Sequence, residues 1–296
     1  MAMNTHKLQP IIGAIASDDL DRAAIVTSTI AHGARGAWRE NLTRLAGILR
    51  NLADGHEAHR PFTILTRGNS KLPFVAFSAL PGDRFCPGAG ECLSWCYSFR
   101  AWRYPAAFCR QVQNTAMLQQ PAGRAQITAA LARECKLAAR RGLTELTFRL
   151  YVDGDFRSVA DVGFWMRTLS EQPMVNAYGY SKSFGQLVAY QTTGGKWAPN
   201  YRLNLSGGHK HAGELMRRVA SLPITRGEFA AVSVGRKVRS TEHGTRDMNK
   251  LVREAAGAAG MGKVFPCPGK CGECTPKGHA CGSDRFAGVT IAIAVH

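Results

Sequence analysis

From about residue 61 the chain alternates short β-rich runs with helical stretches, and this constrains its fold more than any other feature. The β-rich runs are Phe74–Leu80, Leu146–Val152, Met174–Tyr180, Tyr201–Leu205, Phe229–Val234 and Val289–Val295. Helical patterns fall over 97–119, 123–141, 158–171, 212–222 and 245–259, with Ile127, Leu131 and Leu137 or Phe164, Trp165 and Leu169 as their apolar positions. Alternation of this kind favours parallel strands joined by right-handed crossovers. The expected fold is therefore α/β, a partial or full (β/α) barrel of about six strands. An open doubly wound sheet is the alternative. No GxGxxG follows the first strand, which disfavours a dinucleotide-binding sheet.

Residues 1–60 read as an N-terminal helical extension to an α/β domain over 61–296. In the extension Trp38, Leu42, Leu45, Ile48, Leu49 and Leu52 recur at helical spacing, with Arg39, Arg44 and Arg50 between them. Gly55 and the charged stretch to Arg60 mark the boundary.

In an α/β barrel the reactive residues gather on the loops after the strands. Here the first cysteine group follows 74–80, Asp153-Gly154-Asp155 follows 146–152, and Ser181-Lys182 follows 174–180. Ser206 and His209 follow 201–205. The candidate catalytic residues are Asp153, Asp155 and Lys182, with Gly154, Ser181, Ser206 and His209 as cofactor-binding candidates. Each also has a plain reading, since Asp-Gly and Ser-Gly-Gly are ordinary turn sequences. The argument rests on their joint placement.

Seven of the nine cysteines lie in two runs: Cys86, Cys92 and Cys96 (C-x5-C-x3-C), and Cys267, Cys271, Cys274 and Cys281 (C-x3-C-x2-C-x6-C). Short spacings in Gly- and Pro-rich loops let several sulfurs converge on one metal. Four thiolates suit an iron–sulfur cluster or a structural zinc, because both accept tetrahedral sulfur ligation. Three leave a metal position open, as a catalytic centre requires, unless Cys109 supplies a fourth ligand. Cys109 and Cys135 read as buried thiols within helices. His279 is a possible substitute ligand and more simply a loop residue. His209 and His211 carry the same pair of readings.

The order of these features resembles the radical S-adenosylmethionine superfamily, whose partial α/β barrel holds a 4Fe–4S cluster on three cysteines after the first barrel strand. The resemblance implies one or two such clusters, with S-adenosylmethionine held through the Asp153-Gly154-Asp155 loop. The superfamily's usual C-x3-C-x2-C spacing differs from that of Cys86, Cys92 and Cys96. That spacing occurs instead at Cys267, Cys271 and Cys274, where with Cys281 it suggests an auxiliary cluster or a zinc knot.

A closer resemblance is to a phage- and plasmid-borne family called gene product 88. The shared features are Gly68-Asn69-Ser70-Lys71-Leu72-Pro73, the Cys-Pro-Gly-Ala run from Cys86, Cys96-Tyr97, Gly154-Asp155-Phe156 and Tyr180-Ser181-Lys182-Ser183. This implies a mobile-element origin and no particular reaction.

The formal net charge is +17. A field of that sign attracts polyanions, and nucleic acid is the expected partner. Tyr97, Phe99, Arg100, Trp102, Arg103 and Tyr104 could stack on bases and hold phosphate, or simply bury the rings and leave the arginines wet. No run approaches the ~18 apolar residues of a membrane span, and the Ile11–Ala16 run is too short for a signal peptide. The expected location is the cytoplasm, where clustered cysteines favour metal over disulfides. No Walker loop, nucleophile elbow or HExxH is present. The expected function is a phage- or plasmid-type iron–sulfur protein, a radical-SAM-like redox enzyme acting on nucleic acid or a nucleotide. The alternative is a non-catalytic nucleic-acid-binding protein stapled by zinc or clusters.

Overall fold

The computed structural model describes residues 5–272, 274–275 and 278–295; residues 1–4, 273, 276, 277 and 296 of the expected domains lie outside it. Three helices open the chain: α1 (Gln9–Ala16), α2 (Leu20–Gly33) and α3 (Gly36–Ala53). The α2 start is fixed by Asp19, whose side chain accepts from the Arg22 amide at 2.9 Å. The apolar stripe of α3 is buried as its spacing predicts, from Trp38 to Leu52. Trp38 meets Phe108 of α4 (Pro105–Gln119) with ring centroids 6.1 Å apart, so the N-terminal helices share the main core.

One helix expected over 97–119 is two elements. A 3₁₀ segment spans Tyr97–Arg103 and α4 begins afresh at Pro105. Proline lacks the amide a continuing helix needs but fits the first helical turn. Pro121 likewise starts α5 (Pro121–Arg140).

Strands β1 (Leu65–Thr66), β2 (Val75–Phe77), β3 (Leu146–Leu150), β4 (Val175–Ser181), β5 (Tyr201–Ser206), β6 (Thr225–Val232), β7 (Val264–Pro266) and β8 (Thr290–Ala294) form one sheet. Its order is β1-β2-β3-β4-β5-β6-β8-β7. Only β1 runs antiparallel to its neighbour. Among the described residues the sheet has eight strands rather than about six, and it is open: β1 and β7 are edges and do not pair with each other. The expected full barrel is thereby corrected. Both edges are poor templates for closure, since β1 has two residues and β7 has three and ends on Pro266, which has no amide to donate.

From β2 to β6 each strand pairs with the next in sequence, the crossovers running through α4 and α5, then α6 (Val159–Ser170), α7 (Phe184–Thr192) and α8 (Glu214–Ala220). The strands show the two-residue period of a sheet. Leu146, Phe148 and Leu150 enter the main core with Val175, Ala177, Leu203 and Leu205. The alternate positions carry Arg149, Tyr178, Tyr180, Asn204 and Phe229 on the opposite face. Part of that face is covered by the cysteine-rich C-terminal segment, where Tyr178, Cys281 and Ile291 form a second apolar cluster with Phe74, Phe265, Cys267 and Cys274. Helix α9 (Arg246–Ala258) packs at the other end, against β6, β7 and β8. Among the described residues no helix is long and apolar enough to cross a membrane.

Candidate functional site

The loop carrying Cys86, Cys92 and Cys96 leaves the C-terminal end of β2 and is clasped to the loop after β5. The Gly90 and Cys92 amides donate to the Gly208 carbonyl at 3.1 and 3.2 Å, and the Lys210 amide donates to Gly88 at 3.1 Å. Gly88 has to be glycine: a Cβ there would lie 1.5 Å from the Lys182 carbonyl oxygen. Gly154 is equally constrained, with φ +80° and a notional Cβ 2.9 Å from the Leu80 oxygen. Four strand-end loops, those after β2, β3, β4 and β5, are thereby pressed together.

Asp155 is the hub. Its Oδ1 accepts from the Phe156 amide at 2.8 Å and from Ser181 Oγ at 2.7 Å, and its Oδ2 accepts from the Lys182 amide at 2.7 Å. Burial pushes its carboxyl above the usual range against these donors. Both oxygens thus accept from the protein, and Asp155 ties its own loop to the one after β4. Asp153 lies apart from this network; its backbone carbonyl holds the Ala79 amide at 3.0 Å.

Lys182 reaches Ser206 Oγ with its Nζ at 2.7 Å. Its carbonyl is 3.0 Å from His211 Nε2. His209 Nδ1 accepts from the His211 amide at 3.2 Å, and both rings pack on Phe184 with centroids 4.8 and 5.1 Å away. Burial, then His211 and Lys182, lower the His209 pKa. The Cys86 thiol is pushed up, first by burial and then by the Asp155 charge. The structure therefore brings Cys86, Asp155, Ser181, Lys182, Ser206 and His209 together at the C-terminal ends of the central strands. His211, which ties the Lys182 and His209 loops together, belongs with them.

The rim is aromatic. Among the described residues, Trp95, Tyr97 and Tyr104 are 39%, 53% and 67% exposed, beside exposed Arg100 and Arg103. Trp102 is buried and donates to Gln111 Oε1 at 2.8 Å. The aromatic stretch thus divides, with some rings in the core and others in solvent. Tyr97 is anchored through its hydroxyl to the Val152 carbonyl at 2.6 Å.

The second cysteine group lies on the far face of the sheet. Tyr180 donates to Cys281 Sγ at 2.8 Å. The Gly269 amide points at Cys267 Sγ (3.4 Å), and the Ala280 amide at Cys274 Sγ (3.2 Å). His279 is half-buried against Tyr178 and Phe74, accepts from the Gly282 amide through Nδ1, and has its pKa lowered by partial burial to about 4. It acts as a capping residue of the loop.

All nine cysteines are free of disulfides. Among the described residues no three His, Cys, Asp or Glu side chains stand as a ready-made metal cage. The donor chemistry of the second group nevertheless fits a thiophilic metal. Three of its four sulfurs accept hydrogen bonds from backbone or tyrosine donors, the outer contacts that stabilise metal-bound thiolates. In the first group the fit lies in three thiols on one clasped loop.

These features define an open, mostly parallel α/β protein with two cysteine groups, one at the strand ends and one across the sheet. The family model described as Gene product 88 matches residues 49–287, most of the chain, and the protein belongs to that family. No curated protein and no solved structure matches it. The radical S-adenosylmethionine likeness gains no support from these comparisons and rests on the order of the sequence features.

Proposed function

We propose that this protein is an iron–sulfur enzyme of phage or plasmid type, radical-SAM-like, acting on a nucleic acid or nucleotide. Cys86, Cys92 and Cys96 hold a 4Fe–4S cluster, which supplies one-electron chemistry when bound. The observation that carries this reading is the convergence of Cys86, Lys182, Ser206 and His209 at the strand ends, organised by Asp155.

Asp155 holds Ser181 and the Lys182 backbone in place, leaving the lysine ammonium to meet an anionic group. Ser206 orients that ammonium. The exposed rings of Trp95, Tyr97 and Tyr104 offer base-stacking surfaces worth about 1–3 kcal/mol per base. Arg100 and Arg103 supply phosphate contacts, and the +17 net charge draws the polyanion in. S-adenosylmethionine is the proposed cofactor.

The same exposed rim favours a second reading, a zinc-stapled nucleic-acid-binding protein without catalysis. The test is an EPR spectrum of the anaerobically purified, reduced protein with and without S-adenosylmethionine. A cluster signal that shifts on adding the cofactor supports the enzyme. A silent, colourless zinc protein with steeply salt-dependent binding to single-stranded DNA or RNA supports the second reading and ends the first.

A further inference from the structure

Two arginines lie on the second face of the sheet beside the Cys267–Cys281 segment. Neither meets a carboxylate among the described residues. Arg149 is in the middle of β3, its guanidinium 4.8 Å from the Tyr180 ring centroid. Its Nε is buried with no hydrogen-bond partner. On the adjacent strand Tyr178, its register partner, is 1% exposed. Arg226, on β6, is 3% exposed. It donates only to uncharged oxygens: Asn204 Oδ1 at 2.6 Å and the carbonyls of Phe286, Val289 and Glu228 at 2.6, 3.1 and 3.2 Å.

Buried charges are expensive unless an opposite charge accompanies them. What stands next to both arginines is the second cysteine group. From one side, Arg149 lies on Tyr180, whose hydroxyl donates to Cys281 Sγ. From the other, Arg226 holds Asn204, whose Nδ2 donates to the Cys281 carbonyl at 3.0 Å. Neutral thiols would leave both cations uncompensated. Four thiolates around one divalent metal carry a net charge of −2, and so does a four-thiolate 4Fe–4S cluster in its oxidised resting state. That charge balances two arginines. A site with three thiolates and a neutral imidazole would balance only one.

We infer that Cys267, Cys271, Cys274 and Cys281 bind their metal centre as a four-thiolate dianion whose counter-charges are Arg149 and Arg226. The inference rests on the reading of these cysteines as metal ligands. It adds the ligand number, the net charge and two positioning residues that do not touch the metal. The unpartnered Arg149 Nε lies on the same sheet face as the cysteine-bearing segment.

The test uses full-length protein carrying Cys86→Ser, Cys92→Ser and Cys96→Ser together, so that only the second group reports. Metal content is measured, then its rate of release to excess EDTA. In this background Arg149→Met should release metal about tenfold faster or more, the usual scale for losing an outer contact. Arg149→Lys, which keeps the charge, should stay within about threefold of its parent. Cys271→Ser should lose the metal altogether, and this keeps the inference testable if the arginine variants misfold. Equal release from Arg149→Met and its parent overturns the inference. So does Arg149→Lys behaving like Arg149→Met, or full metal retention in Cys271→Ser. A metal-free parent overturns the metal reading itself, and the inference with it.

Discussion

The two cysteine groups differ in what surrounds them. The first lies where the parallel strands end, beside Lys182, Ser206 and His209, with exposed rings at its rim. The second is laid across a sheet face, its sulfurs accepting from amides and a tyrosine and its neighbours aromatic. Accessible polar groups beside the first suit an incoming substrate. The packing around the second suits a centre that holds the C-terminal segment onto the sheet. The same residue type thus sits in two different surroundings in one chain, one open to solvent and one packed among aromatic rings.

The sharpest way to break this comparison is to remove one thiol from each group. Cys281→Ser should cost about 3 kcal/mol or more, a fall in Tm of about 6 °C or more for a chain of this size. Cys92→Ser should leave Tm within a few degrees while emptying the first site. Equal losses in thermal melts would erase the distinction. A narrower change is Gly88→Ala. With 1.5 Å between the added Cβ and the Lys182 oxygen, the clasped loop has to move. Metal analysis should show the first centre lost and the second kept.

Support behind the first group gives a smaller effect. Arg124 pairs with Asp161 at 3.1 Å on the helix face behind the Asp155 loop. Arg124→Met should cost about 2 kcal/mol in urea unfolding, the scale of a hydrogen bond to a charged group. Burial raises the Asp161 carboxyl above its ordinary value although Arg124 and Arg157 oppose it. The native state therefore binds that proton at higher pH than the unfolded chain does. This group's contribution to stability should fall as pH rises from the unfolded Asp value through the folded one. Asp161→Asn should flatten that segment of the urea-midpoint profile. The smallest effect is a control: Cys109 is 0% exposed and burial pushes its thiol up, so iodoacetamide should leave it unlabelled in native protein while metal-stripped Cys96 reacts.

The alternation of β and α units made the parallel strands legible, and with them the strand-end residues. Pro105 was a visible stop signal inside the supposed 97–119 helix. Helix α7 is only Phe184–Thr192, short enough for its periodicity to be masked by the Ser-rich loop before it. The sequence left barrel and open sheet both standing, because closure depends on which edges pair, and β1 and β7 are too short to read as strands. Arg149 and Tyr178 escaped for a related reason. A polar residue at alternate strand positions reads as solvent-facing until a segment more than a hundred residues later folds across it. The hydrogen bonds that Asp155 makes were not legible because its partners, Ser181 and Lys182, come from the end of the next strand.

The most direct test is a count of iron, acid-labile sulfide and zinc per chain in anaerobically purified wild type, Cys92→Ser and Cys274→Ser. Two separate centres predict about eight irons in the wild type and about four in each variant. Zinc without iron would contradict the iron–sulfur reading, and unchanged metal in Cys92→Ser would contradict a first centre at the strand ends.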